Sequence, residues 1–557
     1  MRASRYTAAK SLVGLGHNNE FRCKPQACAL LLPGMPISMS DLRTIDHNAR
    51  FQEGLALHRI GALDSAAAMY REILLAAPRN FNALHMLGVI HMQRGEPKQA
   101  AELIRQALTV DGRQPAAYGN LASALIELRD FTGAIENCNR ALALKPDDVE
   151  AFYNRATALR LSGRWQGALD SFSQALVLQP GHVAALIGRG TLLQILQQLE
   201  PALIDLDAAV TFAPANSIAH YNHAHVLKAL HRVNEAEASF RQAIRLAPDF
   251  AEGHVGLAEC LFLKGDEAVA WPEYEWRWRT AGLSSLLRKF AVPQWNCRDD
   301  IKGKTILLHA EQGFGDAVQF VRYAKAFAAL GAKVILEVQP PLKGLLANLQ
   351  GVASVLARGE ALPQFDAHCP LMSLPLAFGS GKPSAPYLIA DANKADVWRL
   401  KLGATKKRRI GLAWSGSTTH ANDAQRSIPL QNLAPIFALD ADIISVQKDV
   451  RDSDRAAMAE FSNAKHWGED LTDFTETAAL MSAVDVVISV DTVTAHLAGA
   501  LGKPVWILLP HAPDWRWGQE SDQTSWYPSA RLYRQAVRGD WQGVIARVAT
   551  DLKSYTP

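Results

Sequence analysis

The sequence predicts an α-solenoid in the first half of the chain and an α/β body with two parallel-sheet lobes in the second half. A 34-residue spacing of alanine predicts the solenoid. Short apolar segments that alternate with amphipathic ones after about residue 300 predict the α/β body. The chain has 557 residues, 48% of them hydrophobic and 20% charged, which is typical of a folded protein with room for several domains.

The alanine spacing continues without a slip through six units. The alanines are Ala66, Ala100, Ala134, Ala168, Ala202 and Ala236. A small residue stands twelve positions before each of them, and a proline stands twelve positions after all except Ala100, where Gly112 interrupts the series. Small residues let the two helices of a unit cross closely, and proline ends the second helix. Because one unit of this length cannot bury its own apolar face, the units must stack on one another.

These positions resemble the tetratricopeptide repeat. The register predicts six units from residue 47 to residue 250 and a degenerate seventh, which runs into the tryptophan-rich segment 271–278, so that the repeat domain spans 47–284. The resemblance implies an extended scaffold with a concave groove that holds a peptide, a partner protein or another domain.

Three asparagines occupy one column on the first helix of their units, on the side expected to line the groove: Asn120, Asn154 and Asn222. Side-chain amides in such positions can bind an extended peptide backbone without reading its sequence. Asparagine is also common in this column of tetratricopeptide repeats, so a structural role is the alternative.

Residues 1–46 precede the repeats. They are predicted to be a disordered leader, or to follow a start codon placed too early, with Met39 as the true start. The alternative, a signal peptide, fits poorly because the basic residues are spread out and Pro33 and Pro36 interrupt the apolar run.

Charge, hydropathy and cysteine usage exclude several classes of protein. The formal net charge of +3 predicts no nucleic-acid partner. No apolar stretch approaches the length that spans a bilayer, so no integral membrane segment is expected. Six cysteines without a CxxC pair argue against a disulfide framework and a structural zinc site, and they favour a reducing, cytoplasmic setting.

Six apolar strands predict the α/β body. They span 305–310, 333–338, 409–414, 442–446, 486–490 and 504–509. A polar, lysine-rich connection near 391–408 divides them into lobes at 300–400 and 405–557. Two such lobes face each other across a cleft, and ligands bind at the carboxyl ends of the strands.

Three segments at strand ends are candidates for the functional site. The first follows strand 305–310, contains Gln312, Gly313, Gly315 and Asp316, and precedes a helix predicted at 317–330. Its two glycines let the backbone turn tightly and approach a ligand. Asp316 either acts on the ligand or only caps the helix.

The second segment is the polar loop 414–429, which contains Ser415, Gly416 and Arg426. Hydroxyl groups and an arginine can donate several hydrogen bonds to an anion such as a diphosphate, and a plain solvated loop is the alternative.

The third segment follows strand 486–490 and contains Asp491, Thr492 and, one helical turn later, His496. The N–H groups at the start of the next helix suit a pyrophosphate. His496 either shares the ligand-facing side with Asp491 or Thr492, or is a structural histidine with its bonds satisfied.

Together these segments resemble the inverting glycosyltransferases of the heptosyltransferase type, family nine, over about residues 300–550. The resemblance implies the two-lobed GT-B fold, with an acceptor-side N-terminal lobe and a nucleotide-sugar-side C-terminal lobe. It also implies that Asp316 is the general base, that Asp491, Thr492 and His496 lie in the nucleotide-sugar loop, and that Arg426 is the cation for the diphosphate.

The same resemblance implies the partners. The donor is a nucleotide sugar, and the acceptor is a protein or a glycan recruited by the repeats. No cofactor or metal is expected, because an arginine and helix N-termini stabilise the departing diphosphate. Gln447 and Lys448 follow a strand where they can contact the nucleotide, although a lysine there is equally typical of a surface. The acidic pairs at Asp299 and Asp300 and at Asp452 and Asp454 are interpreted as surface charges.

Two alternatives share this architecture. One is a repeat-fused O-linked N-acetylglucosamine transferase, although segments 313–316 and 491–496 favour family nine. The other is a scaffold whose C-terminal body has lost catalysis and serves for binding or docking. The sequence leaves the sugar and the base of the donor open, and also the acceptor.

Overall fold

The computed structural model describes residues 46–378, 382–420 and 422–556. Residues 1–45, where the leader is expected, lie outside this range, and so does Ala421 of the polar loop. The described residues form two compact units, 46–226 and 227–556. No helix in these ranges is long and apolar enough to cross a membrane.

The first unit is a stack of helix pairs. Its helices are α1 (His47–Arg59), α2 (Leu63–Ala76), α3 (Phe81–Gln93), α4 (Pro97–Val110), α5 (Pro115–Glu127), α6 (Phe131–Leu144), α7 (Val149–Leu161), α8 (Trp165–Leu178), α9 (Val183–Ile195), α10 (Leu199–Phe212) and α11 (Ser217–Ala229), the last of which extends into the second unit. Polar caps start several of them. Asn80, Asp130 and Asp148 each accept a hydrogen bond from the backbone N–H three residues on, which satisfies a donor at a helix start.

The repeat register explains how these helices pack. Ala100, Ala134 and Ala168 are completely buried. A methyl group added to Gly88 would lie 2.6 Å from Cγ1 of Ile104, and one added to Gly190 would lie 2.9 Å from Cγ of Leu206. Both distances are shorter than the optimal separation of two carbon atoms. The paired helices therefore cross where only a small residue fits, and the predicted α-solenoid of tetratricopeptide repeats is confirmed.

The second unit begins with the end of the repeats. Its first helices are α12 (Val233–Leu246), α13 (Ala251–Lys264) and α14 (Glu267–Tyr274), followed by a 3₁₀ turn at Glu275–Arg279. The tryptophan-rich segment thus forms α14 and this turn. Trp271 is 2% exposed and packs edge-on against Phe262, with ring centroids 4.5 Å apart.

The N-terminal lobe of the α/β body has a four-stranded parallel sheet. Its strands are β1 (Thr305–His309), β2 (Lys333–Val338), β3 (Ser354–Ala357) and β4 (Ala367–Pro370), in the order β3-β2-β1-β4. The helices of this lobe are α15 (Phe314–Phe320), α16 (Ala324–Ala328), α17 (Lys343–Leu346) and α18 (Pro375–Phe378).

The C-terminal lobe has a six-stranded parallel sheet. After α19 (Ala392–Leu402), its strands are β5 (Arg408–Ala413), β6 (Ala441–Ser445), β7 (Ala464–Lys465), β8 (Val486–Val490), β9 (Val505–Leu509) and β10 (Ala530–Arg534). The helices are α20 (Asp423–Arg426), α21 (Ala434–Phe437), α22 (Asp452–Glu460), α23 (Phe474–Ser482), α24 (Val493–Ala500) and α25 (Trp541–Ser554). The strand order is β10-β9-β8-β5-β6-β7. The predicted α/β body with two parallel sheets is confirmed.

This strand order positions a ligand site. The chain winds outward from β5 in both directions, so the order reverses between β5 and β8. In open parallel sheets a crevice forms at such a reversal, beyond the carboxyl ends of the strands. The polar loop follows β5 and Asp491 follows β8, so two of the three predicted segments meet at this crevice.

Two predicted elements differ from the structure. The helix predicted at 317–330 starts earlier, as α15, and a 3₁₀ turn at Val321–Tyr323 separates it from α16. The connection predicted near 391–408 is largely the helix α19. This helix is anchored because Nε1 of its buried Trp398 donates to Glu476 on α23 at 2.9 Å.

Candidate functional site

The N-terminal side of the candidate site is the segment 311–316, predicted to be an acceptor-side loop, which follows β1 and runs into the first turn of α15. Gly313 is the N-cap of α15, and its N–H donates to Oδ2 of Asp316 at 2.8 Å. The other carboxylate oxygen, Oδ1, accepts a hydrogen bond from Arg516 of the C-terminal lobe. Asp316 therefore both caps its own helix and makes an ion pair across the two lobes.

Arg516 follows β9 and holds three side chains at once. Its Nε donates to Oε1 of Gln319 at 2.7 Å, one terminal nitrogen donates to Asp514 at 2.9 Å, and the other pairs with Asp316. Its guanidinium lies 4.2 Å from the centre of the Trp515 ring. Only 9% of the Arg516 side chain is exposed, so these contacts are made largely out of water.

A glycine lets the two lobes touch beside this ion pair. A methyl group added to Gly315 would lie 3.0 Å from Cδ2 of His496 on α24. On its other side His496 places Nδ1 2.9 Å from the hydroxyl of Tyr527 and packs against Trp517. Burial, reinforced by the charge of Arg516, lowers the pKa of His496 to about 3, so the ring is neutral. This geometry matches the structural alternative for His496.

Arg426 joins the polar loop to the end of β8. Its Nη1 donates to the backbone oxygen of Asp491 at 2.8 Å. A methyl group added to Gly416 would lie 2.6 Å from Nη2, so the guanidinium lies directly against the loop backbone. The Nε–H of Arg426 is buried and has no hydrogen-bond acceptor. A donor of this kind is costly unless a ligand or water accepts from it.

Other side chains hold the polar loop in shape. Arg451 pairs with Asp423 at 2.7 Å and donates to the backbone oxygen of Gly416 at 2.8 Å. Gln447 accepts from the backbone N–H of Trp414 at 2.9 Å, and its Nε2 donates to Oγ of Ser415 at 3.2 Å. These contacts hold the two ends of the polar loop, whereas residues 417–420 between them are exposed.

Asp491 and Thr492 stand where β8 ends and α24 begins. Burial, together with the nearby charge of Asp514, raises the pKa of Asp491 to about 6 although Arg426 and Arg516 oppose the shift. Thr492 is the N-cap of α24, and its hydroxyl lies 3.4 Å from that of Ser489. The Thr492 side chain makes no capping hydrogen bond to the N–H groups at this helix start.

The structure thus brings most of the predicted site residues together. Asp316 pairs with Arg516, whose charge also acts on Asp491, and His420 of the polar loop interacts with the charges of both Arg426 and Asp316. Gln447 lies behind the loop that it supports, and Lys448 is exposed beside it.

The three asparagines of the repeat column bond within the stack. Nδ2 of Asn120 lies 2.9 Å from Nε2 of His85, and Nδ2 of Asn154 donates to the backbone oxygen of Gly119 at 3.3 Å. Asn222 is 1% exposed and donates to the backbone oxygen of Ile218. Asn120 and Asn154 keep part of their surface, and a peptide-binding role of this column stays a prediction.

A buried ion pair behind the acceptor-side loop was not predicted from the sequence. Arg277, just after α14, is completely buried, and its Nε and Nη2 donate to the carboxylate of Glu311 at 3.0–3.1 Å. The backbone N–H of Met372 donates to the same carboxylate at 3.0 Å. Burial raises the pKa of Glu311 to about 7 against the opposing pull of Arg277. The tryptophan-rich segment was the only sequence signal near this pair.

The same repeat end meets Arg516 through aromatic rings. Phe262 of α13 stacks on Trp515 with ring centroids 4.3 Å apart, and Trp271 of α14 meets Trp515 edge-on at 5.8 Å. Trp515 therefore packs against the last repeat pair.

One expectation about acidic residues is wrong. Asp454 is 3% exposed rather than a surface charge. It accepts hydrogen bonds from Nε1 of Trp414 at 2.9 Å and from the backbone N–H of Leu430 at 3.2 Å, so it supports the polar loop. Sequence reasoning missed it because the acceptor role depends on a tryptophan 40 residues away. Within the described ranges, no group of three or more His, Cys, Asp or Glu side chains is arranged to hold a metal ion.

Two protein families match parts of the chain. The tetratricopeptide repeat family matches residues 85–149, 120–183, 153–217 and 221–279. Glycosyltransferase family 9 (heptosyltransferase) matches residues 470–523, a range that contains Asp491, His496 and Arg516. The chain therefore contains tetratricopeptide repeats and a C-terminal segment that is similar to glycosyltransferase family 9. That segment does not include Asp316 or Arg426.

The chain is similar to a curated protein and to several solved structures. Protein FlbA of Caulobacter vibrioides is 29% identical over 340 residues, which are 55% of this chain and 56% of FlbA. The chain thus spans little more than half the length of this curated relative. Similar solved structures include pilF of Pseudomonas aeruginosa, 23% identical with a TM-score of 0.34 over 37% of this chain and 94% of pilF. A tetratricopeptide repeat protein from Parabacteroides merdae is 18% identical with a TM-score of 0.36 over 42% of this chain and 93% of its own.

Proposed function

We propose that the α/β body is an inverting, metal-independent glycosyltransferase. It would move a sugar from a nucleoside diphosphate to an acceptor that the tetratricopeptide repeats recruit. The observation that carries this proposal is the arrangement of charge at the crevice between the lobes. A carboxylate, Asp316, lies on the N-terminal lobe, and Arg426 and the N-terminus of α24 lie on the C-terminal lobe.

The chemistry follows from this arrangement. Asp316 accepts the proton of the acceptor hydroxyl while the hydroxyl oxygen attacks the anomeric carbon. The bond from that carbon to the diphosphate oxygen breaks, and its electron pair leaves with the nucleoside diphosphate. Arg426 and the N–H groups before α24 stabilise the charge that develops on the leaving group. A single displacement of this kind inverts the anomeric carbon.

Arg426 supports the donor side in particular. Its Nη1 is engaged by Asp491, but its buried Nε–H has no acceptor. A diphosphate oxygen would supply the missing acceptor and a matching charge. Ser415 and Thr492 would offer their hydroxyl groups to the nucleotide, whereas the N–H groups of Ser415 and Gly416 already donate to Gln447 and Ser427.

The repeats would select the acceptor. Stacks of tetratricopeptide repeats offer an extended groove to a peptide or a partner protein, and Asn120 and Asn154 are the candidates to bind its backbone. We place this activity in the cytoplasm, since the four cysteines of the described ranges, Cys138, Cys260, Cys297 and Cys369, are free thiols.

One observation favours a second candidate, a body that binds a nucleotide without turnover. The carboxylate that would act as the base is already engaged by Arg516. A permanent ion pair would keep the Asp316 carboxylate turned away from an acceptor. In that case the body would serve as a nucleotide-dependent docking module.

Turnover of nucleotide sugars tests the proposal. The full chain is incubated with ADP-, GDP-, UDP- and dTDP-sugars, and release of the nucleoside diphosphate is measured with and without candidate acceptors. We expect release of the nucleoside diphosphate from donors with one kind of nucleobase. We expect Asp316→Asn to reduce the rate of release at least a hundredfold, because the general base is lost. Asp396→Asn, which removes an ion-paired carboxylate on α19, is the matched control. Binding of a nucleotide without any release would favour the docking module instead.

A further inference from the structure

Arg516 is a cation of the crevice with a side-chain partner at every nitrogen. Each of its three nitrogens has a side-chain acceptor, Gln319, Asp514 or Asp316. Two of these partners, Gln319 and Asp316, belong to α15 of the N-terminal lobe, whereas Asp514 belongs to the C-terminal lobe. Arg516 is therefore the side chain whose position both lobes determine.

The balance of charge in this crevice is unfavourable for an anion. Three carboxylates, Asp316, Asp491 and Asp514, surround two guanidinium groups, those of Arg426 and Arg516. A diphosphate adds at least two further negative charges. Binding such an anion next to the Arg516–Asp316 pair, with no change of partners, would place like charges together in a site of low dielectric.

Two donors without acceptors show that the hydrogen bonding of this region is incomplete. Nε of Arg426 and Nε2 of Gln319 are both buried without an acceptor. Gln319 is completely buried, and its other amide atom, Oε1, accepts from Arg516. Groups that only donate call for an acceptor, and the oxygens of a diphosphate are acceptors only. The unmade bonds are those of Arg426 and of Gln319, the side chain that accepts from Arg516.

We propose that Arg516 is a second cation for the diphosphate of the donor and that it exchanges partners when the donor binds. Without donor it neutralises Asp316. With donor its guanidinium turns to the diphosphate, and the Asp316 carboxylate is released to accept the proton of the acceptor hydroxyl. The base is thus available only when a donor is present. This inference rests on the proposed function and adds a mode of regulation to the same site.

The exchange has a consequence that a simple binding site lacks. If Asp316 and the diphosphate compete for Arg516, removing the charge of Asp316 must strengthen the binding of a nucleoside diphosphate. Asp316→Asn is the suitable variant, because its amide oxygen can still accept from the N–H of Gly313 and keep the cap of α15. We expect Asp316→Asn to lower the Kd about fivefold or more while it abolishes turnover.

Calorimetric titration of the full chain with ADP, GDP, UDP and dTDP tests the exchange. Arg516→Gln should weaken binding tenfold or more, and adding Asp316→Asn to Arg516→Gln should change nothing further, because the competition is gone. Asp396→Asn should bind as the wild type does. Thermal melting of each variant without ligand shows whether it folds, and Arg516→Lys, which keeps the charge, provides a second probe of Arg516.

The outcomes separate the two proposals. Wild-type binding that Asp316→Asn leaves unchanged or weakens would overturn the exchange and leave the glycosyltransferase proposal standing. If Arg516→Gln and Arg516→Lys both bind the nucleotide as tightly as the wild type, the exchange is also overturned and the glycosyltransferase proposal stands. No binding of any of the four nucleotides to the wild type would overturn both.

Discussion

Gln197 has a backbone conformation that glycine adopts at the equivalent place in other repeats. Its φ is +61°, and Gly61, Gly95 and Gly163, which occupy the same column at multiples of 34 residues, have φ between +71° and +77°. A side chain with a Cβ atom is strained in this region by about 1–2 kcal/mol. Glycine would relieve this strain, but its greater conformational freedom in the unfolded chain offsets part of the stability gained.

We therefore expect Gln197→Gly to stabilise the first unit by about 0.5–1 kcal/mol relative to Gln197→Ala. Gln197→Ala is the matched control because it removes the same side-chain bond, from Nε2 to the backbone oxygen of Gln194, and keeps the Cβ atom. Urea unfolding of both variants measures the difference. Equal stability of the two variants would show that the left-handed turn is not strained.

His496 makes stability depend on pH in a defined direction. Its pKa is lowered to about 3 by burial, whereas in the unfolded chain it titrates near its ordinary value of 6.5. Above pH 6.5 both states are neutral. Below pH 6.5 the histidine takes up a proton in the unfolded state but not in the folded state. The free energy of unfolding therefore falls by about 1.4 kcal/mol for each pH unit down to about pH 3.

His496→Gln removes this contribution. We expect the variant to be less stable than the wild type at pH 8, because the packing against Trp517 and Tyr527 is disturbed. The deficit should shrink by about 2 kcal/mol on going to pH 5. Unfolding curves at the two pH values measure the change, and a deficit that does not vary with pH would contradict the neutral, buried ring.

At the scale of elements, the ion pair between Arg277 and Glu311 connects the last repeat helix to the acceptor-side loop. Arg277→Met leaves the Glu311 carboxyl buried without its partner, and such losses cost about 3–5 kcal/mol. Because burial raises the pKa of Glu311 to about 7, its carboxyl can take up a proton near pH 5 and escape part of the penalty. We expect the deficit of Arg277→Met to be larger at pH 8 than at pH 5.

The double variant Arg277→Met with Glu311→Leu provides the control. It removes both charges at once, so most of the lost stability should return. Chemical unfolding of the single and double variants at both pH values gives the interaction free energy. A double variant as unstable as Arg277→Met, at either pH, would mean that packing around Arg277 dominates and that the ion pair contributes little.

The elements that the sequence predicted well are those with a strong local pattern. The strands β1, β2, β5, β6, β8 and β9 were predicted to within one residue at each end, because each has a buried apolar centre. The four strands that were missed, β3, β4, β7 and β10, all lie at the edges of the two sheets. They are short, with two to five residues each, so their local pattern is weak.

The helix after the acceptor-side loop shows a different limit. The apolar pattern of 317–330 continues through the point where the structure has a 3₁₀ turn. The turn places Arg322, which is 2% exposed, so that it donates to the backbone oxygen of Trp526 at 2.9 Å in the other lobe. A tertiary contact thus overrides the local helical preference, and a pattern of single residues does not contain that information.

At the scale of the whole α/β body, part of the candidate site could be predicted from the order of strands and helices. Arg426 and Asp491 belong to segments that follow β5 and β8, so topology alone places them at one crevice. Asp316 follows a strand of the other sheet and meets this crevice only through the packing of the lobes. Their partners were not predictable. Arg516 is 200 residues from Asp316, and Arg277 is 34 residues from Glu311, so only the packing of the lobes and the last repeat pair brings them together.

The central claim is that a nucleoside diphosphate binds between the lobes against Arg426. Its most direct test is the affinity of the wild type and of Arg426→Gln for the nucleoside diphosphate that the wild type prefers, measured by calorimetry, with the surface substitution Lys407→Gln as a control of equal charge change. We predict micromolar binding to the wild type and to Lys407→Gln, and at least tenfold weaker binding to Arg426→Gln, because charge-assisted hydrogen bonds to the diphosphate are lost. Equal affinity of Arg426→Gln and the wild type would contradict the account.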